Sequence, residues 1–257
     1  MNRILAIRIL APVVFLVLLI AGWQGAIEVF DIPPFFLPTP AAVYSALGTY
    51  ADTLWKESLY TFGTTLAGFA FAVAFGLGLG LLIGASRTLY SGIYPLMIGF
   101  NAIPKVAVVP ILALWFGTGE IPAIVTAFLI SFFPIVVNVA TGLATIEPEM
   151  EDVLRALGGS KLDIMRKVGI PRALPYFFAS LKVAITLAFV GSVIAESIAS
   201  NHGIGHLMLQ AQAQFVIPLV YACLVVLAVQ GILMYAVMAV IERRMTGWAH
   251  RSGFATG

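Results

Sequence analysis

The chain has 257 residues, of which 61% are hydrophobic and only 10% charged, and its formal net charge is +2. Soluble domains carry roughly 25% charged residues, so this composition fits a bilayer better than an aqueous core, and the small net charge argues against nucleic acid as a partner. The lone Cys223, set in an apolar run, excludes a disulfide framework and a thiolate metal cluster and reads as a buried, inert side chain.

Arg3 and Arg8 precede an apolar run that reaches about Trp23. The pattern resembles a signal peptide, but the run is about long enough to span and no small-residue cleavage site follows, so it reads as a retained helix. Six membrane helices are expected, at 9–27, 59–86, 93–116, 121–143, 177–197 and 217–241. Each is near or above the roughly 20 residues that cross the hydrocarbon. The outer loop 28–57 holds Pro33, Pro34, Pro38 and Pro40 and reads as a stiff extended stretch followed by a short surface helix. Gly76, Gly78, Gly80 and Gly84 in the second span read as a close helix contact. Pro95, Pro104 and Pro110 mark the third span and Pro134 the fourth. A proline removes a backbone donor and kinks a helix, and freed carbonyls are tolerated in a bilayer where they face protein or a wet cavity. Pro104, Pro110 and Pro134 are therefore candidate pathway residues.

Charge assigns the sides. Arg3, Arg8, Arg87, Arg155, Lys161, Arg166, Lys167, Arg172, Arg243, Arg244 and Arg251 all fall on one side of a six-span path. The other side carries Glu28, Asp31, Asp52, Glu57, Glu120 and Glu196 against Lys56 alone. Both termini are thus cytoplasmic. Lys105 and Lys182 fall inside spans and read as snorkelling to cytoplasmic ends. Glu196, at the outer end of the fifth span, is a candidate cation ligand or gate residue, or else a solvated cap. His202 and His206 flank Gly203-Ile204-Gly205 at a spacing that two metal ligands on a helix use. With no cysteine and only Glu196 nearby, no metal is expected; the loop reads as a turn at the outer mouth, where a binding protein meets the chain.

The inner loop 147–172 is the most polar stretch. Glu147-Pro148-Glu149-Met150-Glu151-Asp152 places acids at a helix N-terminus, where the helix dipole favours them. Gly158-Gly159-Ser160 breaks that helix and begins another, and Pro171 and Pro175 are expected to end it before the fifth span. Two short helices joined by glycine make a knob, which either relays motion from a soluble partner or is a solvated interfacial loop. The run Asp152-Val153-Leu154, Gly158, Val168-Gly169-Ile170-Pro171 resembles the EAA motif of ABC importer permeases: Glu-Ala-Ala, three residues, Gly, nine residues, Ile, one residue, Leu-Pro. Val153-Leu154 in place of two alanines is the main departure. Leu37-Pro38-Thr39-Pro40, the run Ile103-Pro104-Lys105 to Pro110 with Leu114-Trp115-Phe116-Gly117, Ala195-Glu196 with Gly203-Ile204-Gly205, and the closing Glu242-Arg243-Arg244 with Trp248 are similar to the nitrate, sulfonate and taurine branch. Permeases for thiamine precursors and riboflavin share much of this pattern.

The resemblance implies an all-α, six-span permease fold of the type I importers, one membrane domain over 1–257. It implies a coupling helix that seats in a separate ATPase subunit through Glu151, Asp152, Leu154, Arg155, Ala156, Leu157, Gly158, Ser160 and Lys161. It also implies an extracytoplasmic binding protein, a second permease copy, most simply an identical one, and a prokaryotic inner membrane. The solute is then a small anion or a vitamin-precursor-like compound, selected largely by the binding protein. The chain has no Gly-x-x-x-x-Gly-Lys-Ser/Thr phosphate loop, so ATP and Mg belong to the partner and the chain is not itself an enzyme. An ion-gradient-driven transporter is the competing reading; its usual internal repeats and midplane ionisable groups are not evident. A membrane enzyme would need clustered catalytic groups, and His202, His206 and His250 do not cluster with carboxylates in sequence.

Overall fold

The computed structural model describes residues 2–144 and 148–247, and every regular element among them is helical. In chain order these are α1 (Asn2–Val29), α2 (Pro40–Thr49), α3 (Ala51–Gly84), α4 (Arg87–Ala102), a 3-10 turn (Lys105–Val108), α5 (Val109–Phe116), α6 (Glu120–Ala144), α7 (Pro148–Ala156), α8 (Lys161–Ile164), a π-turn (Met165–Gly169), α9 (Ile170–Ala199), α10 (Ile204–Ala213) and α11 (Ile217–Thr246). Glu147, Trp248, His250 and Arg251 lie outside the described residues.

Five helices (α1, α3, α6, α9 with the π-turn before it, and α11) are long and apolar enough to cross a membrane. The third span is not the continuous helix expected over 93–116. It is α4 and α5, bent by 74° about the 3-10 turn. Ile103, forced out of the helical region by the proline after it, is extended at ψ 126°, and Pro104 has no N–H to continue the ladder. Pro110 does not kink anything: it sits in the first turn of α5, where its missing donor costs nothing. Pro95 and Pro134 lie within α4 and α6, which run on through them. Pro171 and Pro175 likewise fail to end a helix: Pro171 opens α9 and Pro175 lies inside it. A further helix, α10, occupies the outer stretch read as a turn.

The core is the trio α3, α6 and α9. Gly68, Ala72, Gly76, Gly80 and Gly84 recur every fourth residue and so line one face of α3. That face lies directly against α6. A Cβ at Gly76 would stand 2.9 Å from Ile135 Cβ, at Gly80 2.7 Å from Val139 Cβ, and at Gly84 2.9 Å from Leu143 Cβ. Gly78, grouped with them by sequence, faces open space instead. On the other side of α6, Gly142 abuts Ala173 and Gly191 abuts Ala127, bringing α9 equally close. Apolar side chains gain little from leaving lipid for protein, so close backbone approach and dispersion hold such helices together. A second cluster, on the acidic side, packs Val43 and Ala46 of α2 and Ile204, Leu207 and Ala211 of α10 on Leu219, Ala222 and Cys223 of α11. Cys223 is fully buried there. By contrast α1 buries none of its apolar stretch.

This packing predicts a sharp asymmetry between neighbouring glycines. Gly80→Ile should cost about 1–3 kcal/mol through overpacking, whereas Gly78→Ile should stay within about 0.5 kcal/mol of the parent. Thermal unfolding of the two variants in detergent, followed by tryptophan fluorescence, measures the difference.

Candidate functional site

Glu196 is not a solvated cap. It is fully buried between α3, α9 and the start of α10. Its Oε2 accepts from the Thr61 hydroxyl at 2.8 Å and from the Gly205 N–H at 3.2 Å. Its Oε1 lies 3.1 Å from the Thr64 hydroxyl and 3.4 Å from that of Ser192. Thr64 and Ser192 are themselves 2.6 Å apart, so one donates to the other and the remaining proton serves the carboxyl group. Among the described residues no cationic side chain pairs with Glu196, and no group of three metal-ligating side chains forms anywhere.

The same cluster builds the N-terminus of α10. The first amides of a helix lack intrahelical acceptors, and here each finds one from a distant element. Gly203 N–H donates to the Glu57 carboxylate, Ile204 N–H to Thr61 Oγ1 at 2.9 Å, and Gly205 N–H to Glu196. Acids at this end also suit the helix dipole. Gly203 has φ +98°, and a Cβ there would collide with the Glu196 carboxyl group, so only glycine fits. His202 is exposed, 3.7 Å from Glu57 Oε1 and beside the Tyr60 ring; His206 is half-buried on α10. They form no metal pair. Thr61, Thr64, Ser192 and Glu57 carry the anchoring and escaped the sequence reading. Their one local signal is spacing: Thr64 stands three positions after Thr61, and Glu196 four after Ser192.

The bend in the third span places Lys105 just after Pro104, at the break and not at a cytoplasmic end. Its ammonium donates to the backbone oxygen of Asn101 and to Asn101 Oδ1 at 2.8 Å, and it lies 5.8 Å from the Phe100 ring centre. It thereby caps the last turn of α4, where cations are favoured. Lys182 does not reach for solvent either. It pairs with Glu242 at 2.5 Å, tying α9 to the end of α11.

The inner knob forms as expected around Gly158, which has φ +82°. Gly159 N–H bonds to Leu154 O and Gly158 N–H to Arg155 O, each at 2.9 Å, the paired bonds of a Schellman stop. Ser160 then caps α8: its hydroxyl accepts from Asp163 N–H at 3.2 Å, and Asp163 Oδ2 accepts from Ser160 N–H at 3.1 Å. The Ser160 hydroxyl also donates to Asp163 Oδ2 at 2.5 Å, and this bond, with that from the Ser160 N–H, holds the Asp163 carboxyl below the usual carboxylate range. Ser160-x-x-Asp163 is a capping pattern legible in the sequence. Asp152, Arg155, Ala156, Leu157, Gly158 and Ser160 are exposed and Leu154 is half-buried. Glu151 and Lys161 lie on α7 and α8; their side chains fall outside the described ones.

Removing the buried acceptor should loosen the outer end of the bundle. Glu196→Ala removes the acceptor of the Thr61 hydroxyl, of the Gly205 N–H and of the one proton left by the Thr64–Ser192 pair, and should cost about 2 kcal/mol or more, Glu196→Gln less, and His202→Ala almost nothing. Thermal melting of the three variants gives the order; equal midpoints for Glu196→Ala and parent would contradict the anchor.

Comparison with known proteins follows the same lines. The family model described as binding-protein-dependent transport system inner membrane component matches residues 72–247. The riboflavin transport system permease protein RibX of Chloroflexus aurantiacus is 33% identical over 91% of this chain and 88% of its own. The taurine transport system permease protein TauC of Escherichia coli is 27% identical over 91% of this chain and 87% of its own. Among solved structures, an inward-facing form of the MetNI methionine ABC transporter superposes with a TM-score of 0.62 at 21% identity, covering 77% of this chain and 98% of that one, a likeness of fold. Motif, bundle and family match agree: the chain belongs to the binding-protein-dependent inner membrane permeases of the ABC importers.

Proposed function

We propose that this multi-pass permease carries a small solute through a pathway shared with a second copy of itself, driven by separate ATPase subunits that grip its inner knob. The observation that carries this reading is the knob itself. On the arginine-rich side, Val153 in α7 and Leu157 in the turn that follows stand 59% and 78% exposed, beside a glycine that no other residue can replace without strain. Exposed apolar side chains on a rigid cytoplasmic projection suit a partner's groove better than water. Glu151, Asp152, Leu154, Arg155, Ala156, Ser160 and Lys161 complete that contact. ATP and Mg are handled in the partner; the chain supplies no nucleotide loop and holds no cofactor. An extracytoplasmic binding protein delivers the solute to the acidic side, and the complex sits in a prokaryotic inner membrane.

Relatives named for riboflavin and for taurine support a small organic solute, with its identity read mainly by the binding protein. The test is co-purification with candidate ATPase subunits. Gly158→Pro, which cannot adopt φ +82°, should insert normally yet lose the ATPase or its stimulated hydrolysis in vesicles, and Leu157→Asp should weaken the association about tenfold or more. Retained coupling in Gly158→Pro, or uptake that follows an ion gradient with no ATPase bound, would remove the knob from this role.

A further inference from the structure

The break in the third span exposes backbone that a bilayer does not accept. Ile103 and Pro104 are both exposed, and the chain between α4 and α5 leaves the helical ladder over several residues. Irregular backbone at membrane depth persists only against protein or water, so this face looks onto the pathway or its wet approach. Lys105 stands on it. Two of its ammonium protons go to Asn101, and no carboxylate among the described residues pairs with it. A third proton and a full positive charge remain for a ligand. We propose that Lys105, with Asn101 holding it and Phe100 beside it, is a recognition point in the pathway for the anionic group of the solute, a sulfonate or carboxylate. This rests on the reading of the chain as the pathway-forming half of an importer.

The geometry favours transient recognition over tight capture. One ammonium, already hydrogen-bonded twice, offers an anion a single charged contact at a wet surface, so it selects charge without trapping the solute. Lys182, within α9, is neutralised by Glu242 and offers no such point.

The experiment places a thiol beside the lysine. In a Cys223→Ser background, Ile103→Cys is reacted with a negatively and a positively charged methanethiosulfonate, in the assembled transporter in vesicles of zwitterionic lipid, so that no anionic headgroup competes. Rates are divided by those of free mercaptoethanol. The anionic reagent should react about tenfold faster, the low end of electrostatic focusing. Lys105→Gln should bring the ratio near one and Lys105→Arg should keep it. Methanesulfonate should slow the reaction, and its neutral near-isostere dimethyl sulfone should not. Equal rates for both reagents, a ratio unmoved by Lys105→Gln, or equal protection by the sulfone overturns the anion site while leaving a wetted pathway. No reaction with either reagent overturns the site and the pathway placement together; the Gly158→Pro coupling test is independent of all four outcomes.

Discussion

Hydrocarbon offers no hydrogen bonds, and the whole structure is arranged around that fact. Each long helix satisfies its own backbone, so what remains is to bring helices together without the hydrophobic gain that drives soluble cores. The fourfold glycine and alanine spacing on α3 answers this by geometry: without side chains, backbone meets Ile135, Val139 and Leu143 of α6 at contact distance. Gly142 and Gly191 repeat the device between α6 and α9. The three helices then form a dense slab from which the less regular parts are hung.

Charged groups within the spans are handled in three different ways. Glu196 is enclosed by neutral donors, two hydroxyl-bearing faces and a helix N-terminus, so its oxygens are satisfied without a counter-cation. Lys182 is matched by Glu242 where α9 and α11 meet near the arginine-rich end. Lys105 is only half satisfied, by a helix C-terminus and an amide oxygen. The first two arrangements fasten elements to one another. The third fastens nothing to a neighbouring helix, which is why it is the one with capacity left for a ligand.

The spans were legible in sequence because hydropathy is a local property, averaged over twenty residues; so were the knob's stop at Gly158 and the buried Cys223. The bend at Pro104 was half legible. A proline announces a weak point, but whether it becomes a shallow kink or a 74° turn depends on what packs on either side. Pro134 and Pro175 carry the same local signal and sit in unbroken helices held by α3, α6 and α9. Helix α10 was not legible at all. Its N-terminal donors are met by Glu57 and Thr61, 146 and 143 residues away in sequence, and no pattern within 200–214 reveals acceptors that arrive from another helix. The enclosure of Glu196 was hidden for the same reason: an acid at the end of an apolar run leaves cap, gate and ligand open until the hydroxyls of α3 are placed beside it.

The connection between the two ends of the molecule follows from continuity. The inner knob does not hinge freely on the bundle: α8 passes through the π-turn into α9 without a loop, so Pro171 and Pro175 sit within one rod. Thirty residues of α9 at roughly 1.5 Å each span about 45 Å, enough to carry a displacement from the arginine-rich side to the acidic one. At the far end of that rod stands Glu196, bonded to α3 through Thr61 and to α10 through Gly205. Gly158 and α10 are therefore linked by covalent backbone and one enclosed hydrogen-bond cluster. α10 is thus fastened to both α3 and α9, while the start of α5 packs on α6 and α9 only through the small apolar cluster of Val109, Ala123, Ala195 and Ala199.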